Sequence, residues 1–357
     1  MVTVYGEAAP LECDRLVGAS QHVGGLIPDV AMKTHQQRWL KEVADLCEES
    51  KNRRTGFQSA GLVPVIDVFS GCGAFSLGFR LVGVPVVVGI ADTEPAARTF
   101  ALNVFSPALA CGAMSRGEIL DAIAPLCPKG AGIIAQLPHQ KNTSVLPMLE
   151  EILRTIAAVA NQTKASFVLI ESRMFTYQTV EALLSFEQYC NTTMSSDIIR
   201  YIVADYGVAE YDERVAYIAA PHEEFPSAVG QYFHQLRSPQ RVSVDDWFGP
   251  ELGTDFIYRH ARNYRRKAIF STTTPAPRQL GWNHMLPMNY PGNADDAAPG
   301  FLARSLTTPE RASVLTFPPG FTFMGSAKYN EKMIGESIPP KVAVAFARSV
   351  TRALTYL

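Results

Sequence analysis

The 357 residues suffice to bury a substantial core, as one large α/β domain or two unequal ones; with 47% apolar and 18% charged residues, disorder is excluded for the body of the chain. A formal net charge of −2 excludes a protein that coats nucleic acid non-specifically, while leaving room for a local basic patch. Six scattered cysteines without a CxxC pair, no basic start leading into an apolar run, and no stretch of eighteen apolar residues predict an intracellular protein that is neither secreted nor membrane-spanning.

Residues 1–60 mix short apolar and polar runs, with helical spacing over 36–52, and read as an N-terminal extension. From Val63 the texture changes. Short apolar runs bounded by glycine, at 63–69, 84–90, 132–135, 167–170 and 215–219, predict strands. Amphipathic stretches at 74–82, 94–104, 145–160 and 180–189 predict the helices between them. The alternation specifies an α/β fold with a doubly wound, mostly parallel sheet, built from 61–220 and completed by 301–357. Between them, 221–300 loses periodicity to proline, aromatic and charged residues and reads as a smaller inserted region. Helices return at 309–316, opened by a Thr308 cap, and at 340–354, where the chain packs back on the sheet.

The segment VIDVFSGCGAFSLGF, 65–79, is an apolar strand running through a glycine turn into a helix. Gly71 and Gly73 permit backbone angles closed to other residues and close ligand approach, and the helix start presents free N–H groups. Alone, the pattern fits a nucleotide loop or a plain tight turn equally well.

Its neighbours carry more. Asp67, Phe69, Gly71 and Gly73, with Ala74, resemble Asp-x-Phe-x-Gly-x-Gly-Gly, the first motif of the DNA cytosine-5 methyltransferase family. GIADTEPAARTFALN (89–103) resembles the second motif, Gly117-Glu118-Ile119 the third, Glu171-Ser172-Arg173 the family's Glu-Asn-Val, and DYGVAEYDERVAYIA (205–219) its Tyr-Gly-Val-Pro-Gln-x-Arg-x-Arg segment. RSLTTPERASVLTFPPGFTFMGS (304–326) and IGESIPP (334–340) resemble the last two motifs in order and spacing. The resemblance runs from about Val63 onward and leaves 221–300 where the family keeps its target-recognition region.

That resemblance implies a fold of the S-adenosylmethionine-dependent methyltransferase type. S-adenosyl-L-methionine, or its product S-adenosyl-L-homocysteine, is expected with its methionine end at Asp67, Phe69, Ser70, Gly71, Cys72 and Gly73. The family's ribose-binding acid falls on Ala91, leaving Asp92 or Glu94 as substitutes, and Glu118 stands where an aspartate is usual.

Cytosine methylation needs a thiolate added to ring carbon 6, a glutamate protonating ring nitrogen 3 and an arginine at the exocyclic oxygen. The family's nucleophile lies in Pro-Pro-Cys-Gln; here Leu137-Pro138-His139-Gln140 puts His139 in the cysteine's place, where imidazole lacks the soft anionic character required. Glu171 is retained. The Gln-x-Arg-x-Arg element becomes Glu210, Tyr211, Asp212, Glu213, Arg214, so Asp212 replaces one arginine, Arg214 keeps the other, and local charge is expected to reverse. Cys72, Cys111 and Cys127 are not obvious substitutes for the nucleophile.

His139, Glu171, Glu210 and Asp212 are either drifted polar residues in a disused pocket or a new acid/base or metal site. The basic run 259–267, with Tyr258 and Tyr264 near its arginines, suits DNA phosphates and equally a solvated loop. Three functions stay open: an inactive methyltransferase-like protein that binds cofactor or DNA, as the partner of an active methyltransferase or other subunit; an active methyltransferase with a different acceptor; and a structural subunit that has lost both ligands.

Overall fold

In this computed structural model the described residues are 3–10, 12–17, 34–55, 62–112, 114–137, 145–173, 177–260 and 266–357. The chain begins with β1 (Val4–Tyr5), α1 (Cys13–Val17) and α2 (His35–Thr55). An alternating series follows: β2 (Val65–Val68), α3 (Ala74–Leu81), β3 (Val86–Ala91), α4 (Glu94–Val104), β4 (Ala108–Ala110), α5 (Arg116–Ile123), β5 (Gly132–Leu137), α6 (Val145–Thr163), β6 (Val168–Ser172) and α7 (Tyr177–Leu184). Next come β7 (Ser195–Ile202), β8 (Glu210–Tyr211), β9 (Glu213–Ala220), α8 (Phe225–Gln235) and α9 (Val244–Phe248). Short strands β10 (Phe256–Tyr258), β11 (Ile269–Ser271), β12 (Ala276–Pro277) and β13 (Arg304–Ser305) lead to α10 (Thr308–Val314), α11 (Ala327–Glu336) and α12 (Pro340–Tyr356).

Eight strands form one sheet in the order β1-β4-β3-β2-β5-β6-β9-β7. From β4 to β6 neighbouring strands are parallel, while β9 runs antiparallel to both β6 and β7, and β1 antiparallel to β4. The central strands are apolar along nearly their whole length because helices cover both faces. Helices α2, α3, α4, α8 and α12 bury one face, and α5, α6 and α7 the other. Where α3 meets α12 the backbones nearly touch: a Cβ on Gly78 would lie 2.5 Å from Ala343. Only glycine allows that approach. The second half of the chain adds a small sheet, β11-β10-β13, while β12 pairs parallel with β8 and so ties this region to the main sheet's rim.

The expected α/β fold with a doubly wound, mostly parallel sheet is the observed one. Its edges differ from the sequence reading. Strand β4 is too short for a periodicity signal, and β7, at the sheet edge, carries outward Asp197 and Arg200 that interrupt its apolar pattern. Helix α8 falls inside the segment read as insert, yet Phe225, Val229 and Phe233 bury one face of it on the sheet, with Phe233 stacked at 3.9 Å on Phe346 of α12. Packing therefore changes after α8 rather than at residue 221, and Pro226 marks a helix start rather than its absence. The segment read as an N-terminal extension is likewise part of the core: Leu16 and Trp39 are buried, and the Trp39 indole donates to the Thr316 carbonyl at 2.8 Å. The cap of α10 is Thr307, in a reciprocal box with Glu310, and not Thr308. Among the described residues no helix is long and apolar enough to cross a membrane.

Candidate functional site

The sheet's winding reverses between β2 and β5, and such a switch point leaves a crevice beyond the carboxyl ends of the strands. The loop after β2 occupies it. Ser70 N–H donates to Ile90 O and Gly73 N–H to Ser70 O, both at 2.9 Å, fixing the loop against β3. Phe69 adopts φ 60°, a left-handed angle uncommon for a side chain of its size. Gly71 and Gly73 have φ 51° and 88°. Their surroundings separate them. A Cβ at Gly71 would meet nothing within 4 Å, whereas one at Gly73 would come within 2.8 Å of Val104 and Phe100 side-chain atoms. Gly73 serves packing, and Gly71 keeps the loop open.

An open cleft lies over this loop, lined on one side by Phe69, Gly71 and Cys72, at one end by Asp92, Thr93 and Ala96, and at the other by Gln136 and Leu137. Tyr329, Lys332, Met333 and Glu336 of α11 form the facing wall, followed by Ser337. Beneath the loop, Asp67 is fully buried; its Oδ2 accepts from Ser76 at 2.6 Å, while Oδ1 and the buried Ser70 hydroxyl have no partner among the described residues. Burial pushes the Asp67 carboxyl up to about 7, against the Ser76 hydrogen bonds. The fit to S-adenosylmethionine is good: an open glycine turn, orphaned polar atoms and a cleft bearing Asp92 beside them suit a zwitterionic nucleoside.

Of the residues expected at the cofactor, Phe69, Gly71, Cys72 and Asp92 line the cleft, with Asp67, Ser70 and Gly73 shaping its floor. Glu94 and Glu118 do not line it. Glu94 is exposed and faces Arg98 at 3.9 Å, and Glu118 accepts from the Ser115 N–H and hydroxyl in the capping box of α5. Those Ser115 bonds, the backbone one foremost, lower the Glu118 pKa. Asp92 alone of the three acids remains at the cleft.

Across the rim from β5 lies a fully buried charge network. Glu171, on β6, accepts from the Tyr201 hydroxyl at 3.0 Å, from Arg214 Nη1 at 3.2 Å and from Gln136 Nε2 at 2.9 Å. Arg214 also donates to Asp212 at 3.1 Å and to the Ser337 carbonyl at 3.0 Å. Arg173 donates to Asp212 at 2.9 Å and Glu210 at 3.1 Å. Burial alone would lower the Arg214 pKa, but Glu171 and Asp212 hold it above its ordinary value. Burial, then the charge of Glu171, raises Tyr201, which stays a hydroxyl donor.

The expected reversal of charge at Asp212 is thus corrected by the structure. Arg173, just past the end of β6, sets a guanidinium against Asp212 and Glu210, so the arginine missing from 212 is matched by one gained at 173. The carboxylates Glu171, Glu210 and Asp212 do come together, but each is faced by arginine, and no metal-type grouping occurs among the described residues. His139 lies outside the described residues. Cys72, Cys111 and Cys127 are each pushed up to about 11 by burial, which suppresses thiolate. Tyr258 is buried in the small sheet's core and Arg259 donates to the Arg278 carbonyl; of the basic run, Arg266 and Lys267 are exposed, and 261–265 lie outside the described residues. Sequence reasoning missed Gln136, Tyr201 and the α11 wall. The paired departures at 173 and 212, opposite in charge, were the available signal for the network.

A family model for C-5 cytosine-specific DNA methylases matches residues 202–352. The chain is 30% identical over 291 residues to the type II methyltransferase M.HgiDI of Herpetosiphon aurantiacus, covering 80% of this chain and 93% of that one. It is 29% identical to the type II methyltransferase M.HindV of Haemophilus influenzae, covering 80% and 95%. Among solved structures, the Dnmt2 methyltransferase of S. pombe superimposes with a TM-score of 0.52 at 14% identity, over 81% of this chain and 98% of that one, a likeness of fold. Sheet order, loop, cleft and relatives agree, and the chain belongs to the C-5 cytosine-specific DNA methylase family.

Proposed function

We propose that this family member binds S-adenosylmethionine or S-adenosylhomocysteine and DNA but does not methylate carbon 5 of cytosine, and that it acts as a regulatory partner of an active methyltransferase. S-adenosylmethionine is the family's methyl donor, and here the 69–73 loop and Asp92 would hold it. The observation that carries the reading is the closure of Glu171. Both its oxygens are engaged by Tyr201, Arg214 and Gln136, and the side chain is 0% exposed. A glutamate that protonates a ring nitrogen needs an oxygen facing the base. The sequence also offers His139 in place of a thiolate, and the cysteines nearest the cleft are held neutral. DNA contact is assigned to 221–300, where Arg266 and Lys267 are exposed.

The retained Glu171–Arg214 pair, rebalanced by Arg173, favours a second reading: an active methyltransferase with a different acceptor, working by positioning and general base rather than a covalent adduct. Three measurements decide, one of them the transfer of labelled methyl to acceptors other than cytosine. Calorimetry should register both cofactor forms, and DNA carrying 5-fluorocytosine should give no denaturation-resistant complex. Such a complex would defeat the inactive reading, labelled methyl on another acceptor would establish the second, and silent calorimetry would reduce the cleft to a relict.

A further inference from the structure

We infer that a pocket between the small sheet and the 277–283 segment is a phosphate site anchored by Arg259, which holds a nucleotide beside the buried charge network. This rests on the assignment of DNA contact to 221–300 and names the group recognised there and the residue that recognises it.

Strand β10 runs out into Arg259 and His260, which line this pocket together with Gln279 and Asn283 from the segment after β12 and Arg311 of α10. Among the described residues no carboxylate lines it. A concave site with arginine and histidine in its walls and no acid favours anions.

The neighbouring charges single out Arg259. Arg173 is paired with Glu210 and Asp212, Arg214 with Glu171 and Asp212, Arg278 with Asp212 at 3.7 Å, and Arg311 with Glu331. Those carboxylates are taken. Arg259 has none within ion-pair distance among the described residues, although its Nε donates to the Arg278 carbonyl at 3.0 Å and so fixes the side chain. Its two Nη groups are left over. The residue is half-buried, and burial lowers its pKa, an effect that the charge of Glu210 offsets only in part. It is therefore a guanidinium that has lost water without gaining a counter-ion, and an anion gripped by both Nη groups supplies one.

Two neighbours suit a phosphate better than a planar carboxylate. Asn283 spends one Nδ2 proton on the Leu306 carbonyl at 2.7 Å, which orients the amide. His260 stacks on His284 with ring centroids 4.3 Å apart, and its Nδ1 lies 3.4 Å from the Tyr258 hydroxyl, so its ring is held on a face and an edge. Donors thus come from more than one direction, as a tetrahedral anion requires. Gln279 gives the site its place: it lines the pocket, its N–H donates to Glu210 at 2.8 Å and its carbonyl accepts from Arg173. A phosphate on Arg259 lies just outside the network that holds Glu171.

The test uses the full chain with a short fluorescent duplex, read by anisotropy over a salt series, and with inorganic phosphate and deoxycytidine monophosphate, read by calorimetry. Arg259→Met should weaken duplex binding about tenfold and reduce the slope of log affinity against log salt by about one. Arg259→Lys keeps the charge without the fork, so the slope should stay while affinity falls about threefold. If the duplex responds and the small ligands bind only at millimolar concentration, the phosphate belongs to a DNA strand. Tighter binding of either small ligand, lost in Arg259→Met, assigns the site to a free nucleotide. Unchanged duplex affinity and slope in Arg259→Met, with small-ligand binding absent or unchanged, overturns the site and leaves DNA contact through Arg266 and Lys267 standing. If the unaltered chain binds no duplex, the DNA-contact reading has failed, and silence from the small ligands then overturns the site as well. Should Arg259→Met fail to fold, Arg259→Lys and Asn283→Ala replace it, and full affinity in both overturns the site.

Discussion

Asp67 sits in an environment at odds with its chemistry: a carboxyl beneath an open loop, fully buried, with one oxygen unpartnered among the described residues. Its folded pKa, about 7, lies above the ordinary 3.8, so the folded state holds the proton more tightly. The stability this supplies is complete below the unfolded value and is lost as pH rises through about 7. Asp67→Asn keeps an acceptor for Ser76 and should remove that slope, making the variant more stable than the parent at pH 8 by on the order of 1–4 kcal/mol. Urea denaturation at pH 5 and 8 checks this, and an unchanged slope would assign it elsewhere. The two loop glycines separate in the same way. Gly71→Val should abolish cofactor binding by calorimetry and lower the melting temperature only by the strain of a side chain at positive φ, whereas Gly73→Val adds to that strain a clash with Val104 and Phe100 and should destabilise the fold further. A motif reading identifies both glycines but not which of them is held by packing, since Phe100 and Val104 belong to α4, beyond α3 and β3 in the chain.

Among elements, β6 and the β8–β9 segment exchange charge through Arg173, Asp212 and Arg214. Buried ions tolerate no unilateral loss. Arg173→Met should cost about 3–5 kcal/mol by leaving Asp212 and Glu210 uncompensated, and the double variant Arg173→Met with Asp212→Leu should lose much less than the sum of the single changes. A denaturation cycle yielding strict additivity would show that the pair does not act as a unit. Position-by-position comparison with a motif sees Arg173 and Asp212 as two separate departures, because their complementarity exists only after β6 and β9 pair with Glu171 opposite Ala216. Helix α11 escaped notice for a related reason: its cleft-facing side is polar, so it has no apolar stripe of the usual kind.

At the scale of the molecule, the alternating strands and helices between 63 and 220 were legible because parallel strands buried on both faces leave uninterrupted apolar runs. The packing of α1, α2 and α8 was not, since contacts such as Trp39 with Thr316 and Phe233 with Phe346 join segments remote in sequence. Trp39→Ala should accordingly cost about 3–5 kcal/mol, read as a fall in urea midpoint, where a true extension would tolerate the change. The close contact of Gly78 with Ala343 bears on how the protein is made. Helix α3 is translated more than 250 residues before the helix that covers it, α12, at residues 74–81 against 340–356. Until then the nascent chain carries an uncovered apolar groove along Phe75 and Phe79, a target for chaperones and proteases, and it can settle into its native state only after residues 340–356 have left the ribosome.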